Sequence, residues 1–201
     1  MSRCGYLSVL YVIEHLEPRL SRWVLIEYEH ASIIVGKENL AFTNVVRGTK
    51  RLQKFGRVYE KSAVELFDGE ETIVLDPKAD KLLDPSDFEE AKAVVIGGIL
   101  GDHPPRGRTF SLLTSKMKRA KPRSLGDCQF SIDGSIYMAF KVSQGLRLSD
   151  IPIARSLTLK CGLLEIRLPF CYPLINGKPV ISPKLLDYLL EMDIVEAGSK
   201  N

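Results

Sequence analysis

The chain has 201 residues, of which 45% are hydrophobic and 26% are charged. This length predicts one domain, and this composition excludes a disordered chain, a collagen-like repeat and a coiled coil. No apolar run approaches the roughly 18 residues that a membrane helix needs. The net charge of +3 hides an uneven distribution, because an acidic block at 65–90 precedes a basic block at 103–126. Such sidedness can matter for binding partners.

Cysteine and histidine positions predict neither a zinc site nor a disulfide scaffold. The cysteines are Cys4, Cys128, Cys161 and Cys171. They include no close pair, and the three histidines are far apart in sequence, so we expect no metal. Four scattered cysteines predict reduced thiols and a cytoplasmic protein. The apolar start runs into Glu14 without a small-residue cleavage site, which favours a buried strand over a signal peptide.

Strand-like and helix-like segments alternate along the first 150 residues. Apolar, β-rich runs predict strands at 6–13, 40–46, 72–75 and 93–96. Capping signals and apolar spacing predict helices at 21–36, from 84 through 91, at 110–117 and at 131–144. This alternation predicts an α/β domain with a parallel sheet.

The last fifty residues have a different pattern. Residues 163–168 alternate, and Asn176-Gly177 is typical of a hairpin turn. Ser182-Pro183 then begins a final helix.

A glycine-rich loop follows the predicted strand at 93–96. Gly97, Gly98 and Gly101 permit close approach of a ligand to the backbone, and Pro104 and Pro105 stiffen the segment behind them. The carboxyl ends of strands are where ligands bind in open α/β sheets. The loop matches neither a dinucleotide fingerprint nor a Walker phosphate loop. A ligand site is favoured, and a glycine-rich turn without a ligand is the alternative.

Two other turns place a carboxylate in a comparable position. Asp76 ends the strand at 72–75, and Asp127 lies just before the helix at 131–144. Taken alone, each is more typical of a turn or cap residue than of a functional group.

The sequence GGILGDHPPR at 97–106, followed by Arg108 and Thr109, resembles a signature of the SPOUT methyltransferases. The branch it most resembles contains the eukaryotic enzyme that methylates an arginine of a small-subunit ribosomal protein, together with archaeal relatives. Shorter motifs carry the resemblance along nearly the whole chain, at 13–15, 23–28, 75–77, 125–129 and 169–172.

The resemblance implies a single domain over 1–201: a parallel sheet with helices on both faces and a C-terminal trefoil knot within about 71–192. It also implies that S-adenosylmethionine is bound against three loops. Carried over by position, the cofactor-binding residues are Leu75, Asp76, Pro77, Gly97, Gly98, Ile99, Leu100, Gly101, Leu125, Gly126, Asp127, Gln129, Phe130 and Ser131.

Arginine methylation requires carboxylates near the acceptor. A guanidinium has a pKa above about 12 and stays protonated, so it needs groups that orient it and favour a nucleophilic nitrogen. We assign this role to Asp102 and Glu14, with His103 as a proton relay, and we assign substrate contacts to Arg106 and Arg108. For Glu14, a surface acid at a strand end is an equal alternative. For Trp23, a core position is favoured over a substrate-facing one.

Residues 129–136 lack the Arg and Glu that many SPOUT RNA enzymes carry in the third loop. We therefore expect a monomer that acts on a ribosomal protein or subunit, with no membrane contact. The basic block at 103–126 keeps open an RNA methyltransferase, with RNA contact. A non-catalytic RNA- or ribosome-binding protein is a further alternative, which the intact glycine loop disfavours. The two charge blocks are expected to form two electrostatic sides of the site.

Overall fold

The computed structural model describes residues 9–102, 106–161 and 164–198. Its centre is a six-stranded sheet of β1 (Leu10–His15), β2 (Leu40–Thr43), β3 (Arg57–Val58), β4 (Thr72–Leu75), β5 (Ala93–Gly98) and β6 (Lys121–Arg123). The strands lie in the order β3-β2-β1-β5-β4-β6, and every neighbouring pair is parallel. The predicted parallel α/β sheet is thus confirmed.

Helices cover both faces of this sheet. They are α1 (Arg22–Val35), α2 (Thr49–Leu52), α3 (Ala63–Phe67), α4 (Ile132–Ser143) and α5 (Pro183–Gly198), with short 3-10 turns at Lys37–Asn39, Pro85–Phe88 and Leu148–Asp150 and a π turn at Phe110–Thr114. Successive side chains of β1 point to opposite faces. Tyr11 and Ile13 therefore pack with α1 and α4, whereas Val12 packs with Ala63 and Leu113 on the other face.

The C-terminal part adds β7 (Ile153–Ala154), β8 (Leu157–Cys161), β9 (Leu164–Leu168), β10 (Tyr172–Ile175) and β11 (Lys178–Pro179). They form two small antiparallel sheets, β11-β10-β7 and β8-β9. The predicted hairpin turn is confirmed, since Asn176 and Gly177 have φ of 50° and 76°. Helix α5 begins after Ser182 as predicted and packs on α1.

Several predicted boundaries change. The second strand ends at Thr43 instead of Val46, because Asn44 adopts a φ of 60° and its side-chain amide donates to the His15 carbonyl at 2.8 Å. The helix predicted at 110–117 is a single π turn at Phe110–Thr114. Strand β6 was not predicted. The trefoil knot and the single-domain extent stay predictions. In the part of the chain that the structure describes, no helix has the length and hydrophobicity needed to cross a bilayer.

The expectation of reduced thiols is wrong for one pair of cysteines. Cys128 and Cys171 form a disulfide, with their Cα atoms 5.8 Å apart. The same two segments are joined by a backbone hydrogen bond from the Cys171 N–H to the Gln129 carbonyl at 2.8 Å. This disulfide therefore ties the chain before α4 to the chain before β10, and it removes one basis for the predicted cytoplasmic location.

The two charge blocks do not form opposite electrostatic sides. Arg123 pairs with Asp87 at 2.6 Å and Lys121 with Glu90 at 3.0 Å, so cations of the basic block meet acids of the acidic block directly. Asp68 also accepts hydrogen bonds from the backbone N–H groups of residues 118–120. The expectation fails at β6, because this strand places two of the seven basic residues, Lys121 and Arg123, next to β4, which lies within the acidic block.

Candidate functional site

Three segments flagged in the sequence meet at one edge of the sheet. They follow β4, β5 and β6, which are adjacent parallel strands in the order β5-β4-β6. The carboxyl ends of parallel strands lie at the same edge, so Asp76, the glycine loop and the loop before α4 come together. A cavity of about 230 Å³ lies between them, here called the main cavity.

Most of the predicted cofactor-binding residues line the main cavity. They are Leu75, Asp76, Pro77, Gly97, Ile99, Gly101, Leu125, Gly126, Asp127, Gln129 and Phe130. Leu100 and Ser131 instead line a second cavity nearby. Gly98 lines neither, since a Cβ there would meet the Tyr28 hydroxyl and the Glu14 carbonyl oxygen, which means that it packs against β1 and α1. The structure thus brings thirteen of the fourteen residues to two adjoining cavities at one edge of the sheet.

The glycine loop is held from both sides by charged residues. The Leu100 N–H donates to Glu17 at 2.9 Å, and Arg108 donates to the Leu100 carbonyl oxygen at 2.6 Å. Arg108 also pairs with Asp102 through Nε at 2.7 Å. The predicted catalytic Asp102 and the predicted substrate ligand Arg108 therefore contact each other, and both line the main cavity together with Arg106.

Asp76 lines the main cavity and has one unpaired carboxylate oxygen. It is only 2% exposed, and its Oδ1 accepts from the Lys78 N–H at 2.8 Å. Its Oδ2 is buried and has no hydrogen-bond partner among the described residues. An unsatisfied buried acceptor is unfavourable unless a donor reaches it.

The loop before α4 places Asp127 at the surface and ends at the capping residue Ser131. Gly126 has a φ of 99°, and Asp127 is exposed and pairs with Arg155 at 3.1 Å. This ion pair lowers the pKa of Asp127. Ser131 caps α4 by accepting from the Gly134 N–H at 3.2 Å. Asp127 is thus a solvent-exposed residue at the rim of the main cavity.

Glu14 lies away from both cavities and has a structural role. It is buried, and its carboxylate accepts hydrogen bonds from the Ser62 hydroxyl, the Thr43 hydroxyl and the Ala63 N–H at 2.6–2.7 Å. These contacts join β1 to β2 and to the start of α3, so the alternative of a surface acid is wrong. The catalytic assignment of Glu14 loses its structural basis. His103 falls outside the described residues, and its assignment stays a prediction.

The second cavity, of about 230 Å³, adjoins the main cavity and shares Ile99, Gly101 and Ile132 with it. Its other walls include Trp23, Glu27 and Phe170. Trp23 packs edge-on against Tyr188 with ring centroids 6.4 Å apart, yet it also faces this cavity. The expectation of a core tryptophan is therefore only partly correct.

Glu27 is the most perturbed carboxyl group at this edge of the sheet. It is 3% exposed, and it accepts from the Trp23 indole N–H at 2.6 Å and from the Ile132 N–H at 2.9 Å. Burial, reinforced by the nearby charge of Asp133, raises the pKa of Glu27 to about 8. The apolar periodicity of α1 places Glu27 on the buried side of the helix, which is the signal that could have singled it out.

Comparison with known proteins identifies close relatives. The family described as "Protein arginine N-methyltransferase SFM1-like" matches residues 10–195. The protein arginine N-methyltransferase SFM1 of Saccharomyces cerevisiae is 32% identical over 198 residues, covering 89% of this chain and 93% of the yeast protein.

Solved structures agree with this match. The yeast SFM1 structure complexed with SAH has a TM-score of 0.82 at 31% identity and covers 92% of this chain and 97% of that one. The complex with SAM has a TM-score of 0.81 at 32% identity, with coverage of 92% and 91%. Trm10 from Thermococcus kodakaraensis, at 16% identity and a TM-score of 0.57, covers 70% of this chain and 95% of its own and shares the fold alone.

The resemblance predicted from the motif at 97–106 is therefore confirmed by both sequence and structure. The chain belongs to the SFM1-like family of protein arginine N-methyltransferases.

Proposed function

We propose that this protein transfers a methyl group from S-adenosylmethionine to an arginine side chain of a ribosomal protein. The observation that carries the proposal is the main cavity, in which three loops at adjacent strand ends surround one space. Relatives solved with SAM and SAH share this fold over more than nine-tenths of the chain.

The residues of the main cavity fit such a cofactor. Leu75, Ile99 and Leu125 supply aliphatic walls, and the glycine loop exposes backbone polar groups, as a nucleoside site requires. The unpaired Asp76 Oδ2 can accept from a hydroxyl or amino group of the cofactor. Bound there, S-adenosylmethionine supplies an electrophilic methyl group, and the loops hold it in line with the acceptor.

Three of the seven cations on which the RNA alternative rests are neutralised by acids, which favours a protein acceptor. The RNA alternative was based on the basic block at 103–126, but Arg108, Lys121 and Arg123 are each paired with an acid. Paired cations contribute less to phosphate binding, which depends on free positive charge. A ribosomal substrate and a monomer complete the proposal, as the sequence resemblance implies them. A cytoplasmic location, first predicted from the sparse cysteines, is now supported by the proposed ribosomal substrate alone.

The test uses ribosomal subunits and S-adenosylmethionine labelled in the methyl group. After incubation with the protein, one half of the sample is treated with ribonuclease and the other with protease, and the protein fraction is analysed for methylarginine. We expect the label to survive ribonuclease, to be released by protease and to be found in methylarginine. Label that is lost with ribonuclease would instead support the RNA acceptor.

Calorimetry with S-adenosylmethionine tests the cofactor separately. Saturable binding is expected, and its absence would favour the non-catalytic alternative. Gly69→Ala is a suitable control for glycine variants in this assay, because a Cβ at that position meets nothing within 4 Å.

A further inference from the structure

The second cavity opens beside the main cavity and contains a buried carboxyl group. Ile99, Gly101 and Ile132 contribute to both cavities, so a side chain in the second would reach the edge of the first. Glu27, Trp23 and Phe170 give the second cavity an acidic group and two aromatic rings. An elongated cation with an aliphatic stem matches this lining.

The contacts of Glu27 leave half of its hydrogen-bonding capacity unused. A carboxylate offers about four acceptor positions. Each oxygen of Glu27 accepts one bond, from Trp23 and from Ile132 respectively, and both donors are neutral. Within residues 9–102, 106–161 and 164–198, no Lys, Arg or His lies within ion-pair distance of Glu27.

A buried carboxylate without a cationic partner is costly, and proteins neutralise such a group by protonation or by pairing. The raised pKa of Glu27 means that, without a ligand, this group is neutralised by protonation. A guanidinium bound in the cavity would neutralise Glu27 by pairing instead. It carries five donors in a planar fork that matches a carboxylate, and it stacks on aromatic rings.

We infer that the second cavity is the acceptor pocket, in which the Glu27 carboxylate pairs with the guanidinium of the substrate arginine while Trp23 and Phe170 flank it. This inference rests on the proposed arginine acceptor and assigns it a site. As the acceptor nitrogen bonds to the methyl carbon, the sulfur–methyl bond breaks with its electron pair on sulfur. The nitrogen then loses one proton, which Glu27 accepts.

A purely structural role for Glu27 is the competing explanation, since its bond to the Ile132 N–H joins α1 to the start of α4. The two roles differ in their response to a ligand. A structural carboxyl would be indifferent to the charge of a molecule added to the cavity, whereas an acceptor-pocket carboxylate would select a cation.

Trp23 provides the readout, because it is the single tryptophan of the chain and donates to Glu27. The probe is Nα-acetyl-arginine amide, and Nα-acetyl-citrulline amide is the neutral probe of nearly the same shape. Trp23 emission is followed at pH 8.5 in the absence of cofactor. We expect a saturable change with the arginine probe and at least about tenfold weaker binding of the citrulline probe.

Glu27→Gln keeps the size of the side chain and removes its charge. We expect it to weaken binding of the arginine probe by at least about tenfold. Glu29→Gln is the matched control on the same helix, because Glu29 pairs with Lys184 and lines neither cavity; its probe affinity should equal that of the wild type.

The pH profile supplies a second readout. Binding should strengthen as pH rises through about 8 in the wild type and stay flat in Glu27→Gln. The titratable groups that influence Glu27 are Asp133 of α4, which is paired with His30 of α1, Tyr28 of α1 and Tyr172 of β10. Burial raises the pKa of Tyr28 and of Tyr172, so these two stay neutral over this range.

Equal binding of the arginine and citrulline probes by the wild type would overturn the inference without any variant, and so would an unchanged affinity in a folded Glu27→Gln protein. The probe carries only the arginine side chain. If the true acceptor is an arginine outside the ribosomal proteins, the probe results are unchanged, and only the labelling of ribosomal protein fails.

Discussion

Asp102 and Arg108 occupy the mouth of the main cavity as an ion pair, and the two side chains have different second contacts. Arg108 also donates to the Leu100 carbonyl oxygen, whereas Asp102 has a partly exposed carboxylate that lines the cavity. After Asp102→Ala, Arg108 still holds the glycine loop. We expect turnover to fall by about 100-fold, because a carboxylate near the acceptor is lost, while cofactor affinity stays nearly unchanged.

Arg108→Ala separates the two roles. It removes the bond to Leu100 and should weaken S-adenosylhomocysteine binding by about tenfold in calorimetry. If Asp102→Ala instead weakens cofactor binding and keeps its turnover, the role of Asp102 is only to position Arg108.

Glu14 illustrates how burial separates a structural acid from a catalytic one. Its carboxylate accepts three hydrogen bonds within the fold and contacts neither cavity. Glu14→Ala leaves the Ser62 and Thr43 hydroxyls and the Ala63 N–H unpaired. We expect the free energy of unfolding in urea to fall by about 2–4 kcal/mol.

Turnover by the folded Glu14→Ala protein should stay close to that of the wild type. Glu60→Ala, at an exposed position, is the stability control and should change the unfolding free energy by less than about 0.5 kcal/mol. Normal stability combined with lost turnover would restore a catalytic role to Glu14.

At the scale of elements, the three loops of the main cavity were predictable because each follows an apolar strand or precedes a capped helix. Asp76 directly follows β4, Gly97 and Gly98 are the last residues of β5, and Ser131 caps α4. Local sequence marks such boundaries through turn residues and caps. The adjacency of the loops was implied by the parallel sheet, and the cofactor was implied only by the family resemblance.

Other elements had no local signal. Strand β6 consists of Lys121–Arg123, and its residues are neither apolar nor alternating; it forms because the edge of β4 offers hydrogen bonds and its cations meet Asp87 and Glu90. The link between Cys128 and Cys171 spans 43 residues and depends on the placement of two loops. Both features arise from tertiary contacts, which single-sequence patterns do not contain.

Gly101 is the element-level test of the glycine loop. A Cβ at this position would meet the Gln129 side-chain amide and the Phe170 ring, which belong to the walls of the two cavities. Gly101→Ala must displace one of these side chains, so we expect S-adenosylmethionine to bind about tenfold more weakly. Calorimetry measures this, with Gly69→Ala as the control; equal affinities in both variants would show that the loop need not approach these walls closely.

For the whole molecule, net charge proved less informative than the pairing of charges. The acidic and basic blocks are separate in sequence but interlock in space, through Asp87 with Arg123 and Glu90 with Lys121. Composition also does not reveal the buried carboxyl group of Glu27, to which we assign the acceptor pocket. Because this group titrates differently in the folded and unfolded chains, it also affects global stability.

The stability of the protein should decline between pH 6.5 and pH 8. Folding raises the pKa of Glu27 from 4.5 to about 8, so the folded chain holds a proton that the unfolded chain has released, and stability falls as pH rises through this window. Burial lowers the pKa of His15 below 6.5, and its effect of opposite sign fades as pH rises above 6.5. Above pH 6.5 the Glu27 effect is therefore the larger one, on the order of 2 kcal/mol up to pH 8.

Urea unfolding at pH 6.5, 7.2 and 8 measures this decline. Glu27→Gln cannot titrate and should abolish the slope, whereas Glu29→Gln should retain it, because Glu29 lies in an exposed ion pair with Lys184. Parallel slopes in the wild type and Glu27→Gln would mean that Glu27 is already ionised in the folded protein at pH 6.5. In that case the carboxylate would have to be stabilised by a partner other than the neutral N–H groups of Trp23 and Ile132.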